Sequence, residues 1–159
     1  MPTLLSLARE MAEYERLLQH FTATEGALAE ALFADAPVVH GVIAEAAGRA
    51  VGYAAWTISF STFHCRCGLF VEDIFVVADQ RGSGVGYALF RHMAREAVAR
   101  NCWRMDWRVL DWNEPALRFY ERLGATPVSV GWLARQLTGD ALTALAGAGT
   151  EASRPSRSG

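Results

Sequence analysis

Cysteine is scarce in this chain, positive charge is in slight deficit and no apolar run approaches a membrane span; each shortage removes a class of function. Three cysteines in 159 residues are an odd set, too few for a disulfide framework, so stability must come from a buried core. His64-Cys65-Arg66-Cys67 places two thiols near an imidazole. Zinc asks for a fuller ligand set, and Cys102 sits on a separate segment, so no metal is expected and the thiols read as small apolar or solvent-facing groups. A formal charge of -2 offers no basic face for nucleic acid. The opening Met1-Pro2-Thr3-Leu4 lacks the basic flank and cleavage site of an export signal. With no run of about 20 apolar residues to cross a bilayer, a soluble cytoplasmic protein is expected.

What is present is a hydrophobic content of 52% arranged with clear periods. Leu4, Leu7, Met11, Tyr14 and Leu18 recur at helical steps and predict a helix from about Thr3 to His20. Thr22 and Glu25 suggest a capping box for a second helix ending near Phe33. Val38 to Glu45 and Ala50 to Phe60 flank the turn-like Ala46-Ala47-Gly48-Arg49 and read as a hairpin. The nearly continuous apolar run from Gly68 to Val77 predicts a central strand. A helix from Val85 to about Asn101 follows, then a strand over Trp103 to Leu110. The next helix has Asn113 as N-cap, Pro115 in its first turn and Gly124 beyond its end. Strand character returns at Thr126 to Val130 and Trp132 to Leu137, before a last short helix from Asp140 to Ala146. The order implies a single α/β domain over residues 1–146 around a mixed sheet, with a disordered tail over 147–159.

The most informative stretch is Gln80-Arg81-Gly82-Ser83-Gly84-Val85-Gly86, between the central strand and the helix after it. Glycines accept positive φ and let the backbone approach a ligand closely. A strand-loop-helix junction aims free N–H groups and the positive end of the helix dipole at an anion, and Arg81 adds a cation. Two common nucleotide loops are excluded by what is missing. No Lys followed by Ser or Thr comes after the last glycine, as a P-loop needs. Gly82, Gly84 and Gly86 give G-x-G-x-G rather than G-x-G-x-x-G, and no acidic residue stands at the ribose position. An ordinary glycine turn remains open on spacing alone.

Three segments together narrow the reading: Val71-Glu72-Asp73-Ile74-Phe75-Val76, the glycine loop, and the run from Asp111-Trp112-Asn113-Glu114-Pro115 to Gly124-Ala125. In order and spacing they resemble the GCN5-related N-acetyltransferases, in particular the spermidine/spermine acetyltransferase branch and its bacterial relatives. The resemblance runs from the end of the first helix, Ala12-Glu13-Tyr14-Glu15, to Leu137-Thr138-Gly139. It implies a mixed, mostly antiparallel sheet whose middle strands splay apart over acetyl-CoA, a homodimer, and transfer to a small primary amine in a ternary complex. The backbone of Ile74, Phe75 and Val76 would pair with the pantetheine arm. Arg81, Gly82, Ser83, Gly84, Val85, Gly86 and Tyr87 would hold the pyrophosphate, and Asn113 and Ala116 would touch the cosubstrate from the following helix.

The same resemblance gives Tyr120 as general acid and Glu72 as the carboxylate that takes the amine's proton. Thiol leaving groups titrate near about 8.5 and a phenol near about 10, so a tyrosine suits proton return to sulfur. Without the motif, Tyr120 would equally suit a helix core beside Phe119 and Leu123. Asp73, Tyr14 and Glu15 match substrate-contacting positions, with Glu72 and Asp73 expected on opposite faces if strand alternation holds through them. Trp107, Trp112 and Trp132 suit either an ammonium pocket or the core; Arg118 and Arg122 suit either a phosphate or a solvated helix face. Alternatives to the enzyme are a non-catalytic acyl-CoA-binding module and an acetyltransferase for a protein or peptide amine. Two departures qualify the match. No strand precedes the first helix, and Val128-Ser129-Val130-Gly131 and Thr62-Phe63-His64 replace acidic stretches, which favours a compact amine over a long polycation.

Overall fold

Pro2, with its φ already suited to a first helical turn, opens helix α1 (Pro2–Tyr14), which buries Leu4, Leu7 and Ala12. The computed structural model describes residues 1–128 and 135–147. Its other elements are α2 (Glu25–Phe33), β1 (His40–Ala46), β2 (Arg49–Ser61), β3 (Arg66–Val76), α3 (Val85–Ala99), β4 (Met105–Trp107), α4 (Glu114–Arg122) and α5 (Gly139–Gly147). The chain divides into two compact units, Met1–Asn113 and Glu114–Gly159.

In the first unit the strands lie in the order β1-β2-β3-β4. The β1/β2 and β2/β3 pairs are antiparallel and β3/β4 is parallel, which is the mixed, mostly antiparallel sheet expected. β3 is interior, in keeping with its apolar run. Alternation on β2 assigns the two faces. Val51 and Tyr53 join Leu4, Leu7, Phe75 and Val77 in a core beneath α1. Trp56 turns the other way and meets His92 of α3, ring centroids 5.8 Å apart. On that side α3 buries Leu89, Phe90, Met93 and Ala97. Each fully buried Leu or Met of these helices contributes about 1.5–3 kcal/mol of apolar burial. Gly52 of β2 lets the layers close: a Cβ there would stand 2.6 Å from the Phe75 carbonyl oxygen and 3.5 Å from Leu89 Cδ1.

Several boundaries differ from the sequence reading. α1 stops at Tyr14 rather than running to His20, because Arg16 takes a left-handed φ of 61°. Its N–H then donates to Glu13 O (3.1 Å) and the Leu17 N–H to Ala12 O (2.8 Å), the pairing that terminates helices. Leu18–His20 forms only a short 3-10 turn. The cap of α2 is Thr24, not Thr22: its extended backbone lets Oγ1 accept from the Ala27 N–H at 3.3 Å. β4 is shorter than the Trp103 to Leu110 expectation. The predicted strands beyond Gly124 are not formed at 126–128 or 135–137, and their remaining residues, 129–134, lie outside the described residues, as does 148–159 of the expected tail. In the second unit, α4 carries an exposed Arg118–Glu114 ion pair at 3.3 Å. Gly124 (φ 81°) follows its end, with the Gly124 N–H donating to Glu121 O at 3.0 Å.

Candidate active site

β3 changes its pairing halfway along. At its start the Leu69 N–H donates to Arg104 O and the Cys67 carbonyl accepts from the Trp103 N–H, both at 3.0 Å, so odd-numbered residues face the β4 side. The ladder with β4 covers only Leu69, Val71 and the residue between them, opposite Met105–Trp107. Opposite β2 the register then slips: Trp56 pairs with Val71 but Ala55 pairs with Asp73, leaving Glu72 as an extra residue in a bulge. Past it the Val77 N–H donates to Val51 O. Odd residues now face β2, and the backbone groups of Ile74 and Val76 turn toward the edge where β4 has ended. Among the described residues, the bulge thereby turns an interior strand into an open edge over its last residues. Arg81 caps part of this edge, its Nε donating to Val76 O at 3.0 Å.

The glycine loop continues from that edge. Gly82 and Gly84 have φ of 80° and 94°, and a Cβ on either would meet nothing within 4 Å, so the loop's glycines answer a backbone requirement in open space. Gly84 is the N-cap of α3 and makes no side-chain cap hydrogen bond, which leaves the first-turn donors at Val85, Gly86 and Tyr87 available to an anion. Ser83 is committed to the turn, its Oγ donating to Gln80 O at 2.6 Å. An open strand edge leading into an uncapped helix N-terminus suits a ligand with an extended amide arm and a pyrophosphate, and coenzyme A has both.

The bulge also overrides strand alternation at Glu72 and Asp73. Glu72 Oε1 accepts from Thr57 Oγ1 at 3.1 Å, and Asp73 pairs with Ala55, which lies between Tyr53 and Thr57 on the same face of β2. Thr57 and Tyr53, four apart on β2, share its α1 face, so both carboxylates project there rather than to opposite sides. Burial pushes the Asp73 carboxyl above its ordinary value; the nearby Tyr53 hydroxyl opposes this and the Glu72 charge adds to it. Glu15, the C-cap of α1, is also raised, by burial and then by Asp73. Tyr14 donates its hydroxyl to Asn113 Oδ1 at 3.2 Å, and the Arg81 guanidinium lies 4.1 Å from the Tyr14 ring centroid. In the first unit direct contacts thus join Tyr14, Asn113, Arg81 and the β3 edge, with Glu72 and Asp73 at the bulge where that edge begins and Glu15 capping the helix that carries Tyr14.

Tyr120 and Ala116 lie on α4 of the second unit, where the Tyr120 ring sits 5.4 Å from that of Phe119. Of the tryptophans, Trp107 is half-buried and packs edge-on against Phe90 at 5.1 Å. Trp112 is 45% exposed beside Tyr14 and under the Arg16 guanidinium; Trp132 lies outside the described residues. Cys102, read as remote from Cys67, is its neighbour, with Sγ atoms 2.8 Å apart. Burial and the Cys67 thiol push Cys102 up to about 11. Thr57 escaped the sequence reading because its partner is set by sheet register.

Residues 3–125 match the Acetyltransferase (GNAT) family. The chain is 35% identical over 154 residues to the thialysine N-epsilon-acetyltransferase of Bos taurus, covering 91% of this chain and 90% of that one. It is 37% identical over 94 residues to the L-ornithine N5-acetyltransferase of Arabidopsis thaliana, covering 59% of this chain and 41% of the relative. Among solved structures, an integron cassette protein from the mobile metagenome of V.cholerae superposes with a TM-score of 0.73 at 29% identity, covering 91% of this chain and 90% of that chain.

Proposed function

The chain belongs to the acetyltransferase (GNAT) family and is an N-acetyltransferase using acetyl-CoA; from that premise we propose that it acetylates a small primary amine, a diamine, polyamine or amino-acid side-chain amine, by direct transfer in a ternary complex. The observation that carries this reading is the pair of carboxylates, Glu72 and Asp73, on one face at the bulge where the open edge of β3 begins. Names of the relatives point the same way, since thialysine N-epsilon and ornithine N5 are nitrogens of amino acids.

Acetyl-CoA supplies a thioester carbonyl for the amine to attack. The backbone of Ile74, Phe75 and Val76 aligns the arm as an added strand would; Arg81, Gly82, Ser83, Gly84, Val85, Gly86 and Tyr87 hold the pyrophosphate, with Asn113 and Ala116 against the cosubstrate. An alkylammonium with a pKa of about 10.4 is neutral in only a few molecules per ten thousand at pH 7. Glu72, exposed and fixed by Thr57, takes its proton through a water. As the C–N bond forms and the C–S bond breaks, the Tyr120 phenol returns a proton to sulfur. Asp73, Tyr14 and Glu15 hold the acceptor. The formal charge of -2 supports action away from nucleic acid; among the described residues no helix is long and apolar enough to cross a bilayer. Likeness to the polyamine branch supports a homodimer and one catalytic domain over residues 1–146.

The test is thiol release from acetyl-CoA with an amine panel. Tyr120→Phe is expected to lower kcat by about 10²-fold or more while acetyl-CoA binding changes little. Equal turnover by the variant would remove Tyr120 from the chemistry.

A further inference from the structure

The thiols of His64-Cys65-Arg66-Cys67 and of Cys102 take no part in acetyl transfer, yet the fold brings two of the three together. Cys67 stands at the start of β3 and Cys102 follows α3, 35 residues further on. Their Sγ atoms lie 2.8 Å apart, so closing by less than about 1 Å reaches the bonded separation of about 2.05 Å. The backbone holds them there. The Trp103 N–H donates to Cys67 O at 3.0 Å and the Cys102 N–H to Ala97 O at 2.8 Å, after Asn101 has turned left-handed with a φ of 56°. Neighbouring backbones joined in this way lie about 4.7–4.9 Å apart, inside the Cα range of about 4.4–6.8 Å that a disulfide spans. Side chains fasten the same two segments. Arg66 donates to Asn101 Oδ1 at 3.1 Å, and His64 stacks on Trp103 with ring centroids 4.0 Å apart.

Cys65 is placed differently. It is exposed in the hairpin turn with a φ of 48°, and its thiol donates to Thr62 O at 3.6 Å. Cys67 and Cys102 are half-buried, so the pair keeps the partial access that thiol–disulfide exchange requires. Its position bears on the sheet. β3 and β4 pair only over Leu69–Val71 opposite Met105–Trp107, and the edge that suits acetyl-CoA begins beyond the bulge. Cys67 and Cys102 flank the other end of this short ladder, so a bond between them fixes the strands where they first meet and leaves that edge uncovered.

We infer that Cys67 and Cys102 form a redox modification site, closing to a reversible disulfide that staples the start of β3 to the approach to β4, with a low-molecular-weight disulfide such as oxidised glutathione as the oxidant. Cys67, as thiolate, attacks one sulfur of the oxidant, expels one thiolate and forms a mixed disulfide. Cys102 then gives up its proton, attacks the Cys67 sulfur and expels the second thiolate. Two protein thiols are oxidised, their two protons pass to the expelled thiolates, and one small disulfide is reduced to two thiols. Cys102, pushed up to about 11 by burial and by the Cys67 thiol, is seldom a thiolate at neutral pH, which leaves the first attack to Cys67.

The experiment equilibrates the full-length protein in graded ratios of oxidised to reduced glutathione, quenches by alkylation and maps the cysteines by mass spectrometry, with melting curves in parallel. A linked Cys67–Cys102 peptide should accumulate as the oxidised fraction rises, with Cys65 outside the pair. The melting midpoint should climb by about 5–10 °C, because the bond closes a long loop in the unfolded chain, and dithiothreitol should return it. Cys65→Ser should keep both the linked peptide and the shift, whereas Cys67→Ser and Cys102→Ser should lose both. The wild-type map decides the matter even where a serine variant fails to fold. Complete alkylation of Cys67 and Cys102 at every ratio, arrest as a mixed disulfide with glutathione, or linkage of either to Cys65 or to a second chain overturns the inference.

Discussion

At the scale of single residues, the site is governed by where carboxylates sit relative to solvent. Asp73 and Glu15 both titrate above their ordinary values through burial. Between the unfolded and the raised folded value, the native state binds more protons than the unfolded state, so these groups add stability as pH falls and withdraw it as pH rises. This is opposite in sign to the usual salt-bridged acid. Asp73→Asn removes that penalty. The variant should melt above the wild type at pH 8, with the advantage shrinking as the solution is taken down toward pH 4; a constant difference across that range would show that Asp73 ionisation does not couple to folding. Residue chemistry of this kind was only partly legible in the sequence. Glu72 and Asp73 were picked out by their setting before the loop, but their common orientation depends on a bulge, which is a relation between two strands. Thr57, whose hydroxyl holds Glu72, sits in an apolar run where nothing local marks it.

At the scale of elements, the open end of β3 depends on how closely β2 and β3 are packed. Gly52 permits that approach, whereas Gly26 in α2 has nothing within 4 Å of where a Cβ would stand. Gly52→Ala should cost about 1–3 kcal/mol through overpacking, while Gly26→Ala should gain about 0.5–1 kcal/mol from helix propensity. Thermal or urea melts of the two variants check this, and equal effects would mean that the tight contact at Gly52 is relieved without cost. Element type was well read where a period was long and uninterrupted: α3, the β1/β2 hairpin and the interior β3 are as expected. Ends were read less well. Leu18 extends the spacing of α1 beyond the point where Arg16 turns left-handed, and an apolar period does not register a change of φ. Thr22 and Thr24 are both chemically fit to cap α2, and only the backbone at Thr24 brings its oxygen over the first turn.

At the scale of the whole molecule, the account joins an uncapped helix N-terminus, an open strand edge and a cluster of acids into one acetyltransferase. Family membership was legible because three separated motifs agree in order and spacing, which no single glycine loop could establish. The identity of the acceptor was less so, since it depends on which carboxylates converge. The most direct measurement is steady-state thiol release from acetyl-CoA by the wild type and Glu72→Gln, over pH 6–9, with a diamine and a basic amino acid. The account predicts amine-dependent release by the wild type that climbs with pH, and a kcat/KM about 10²-fold lower or more in Glu72→Gln, with acetyl-CoA affinity retained. Wild-type turnover in the Glu72→Gln variant, or no release with any amine, would contradict it.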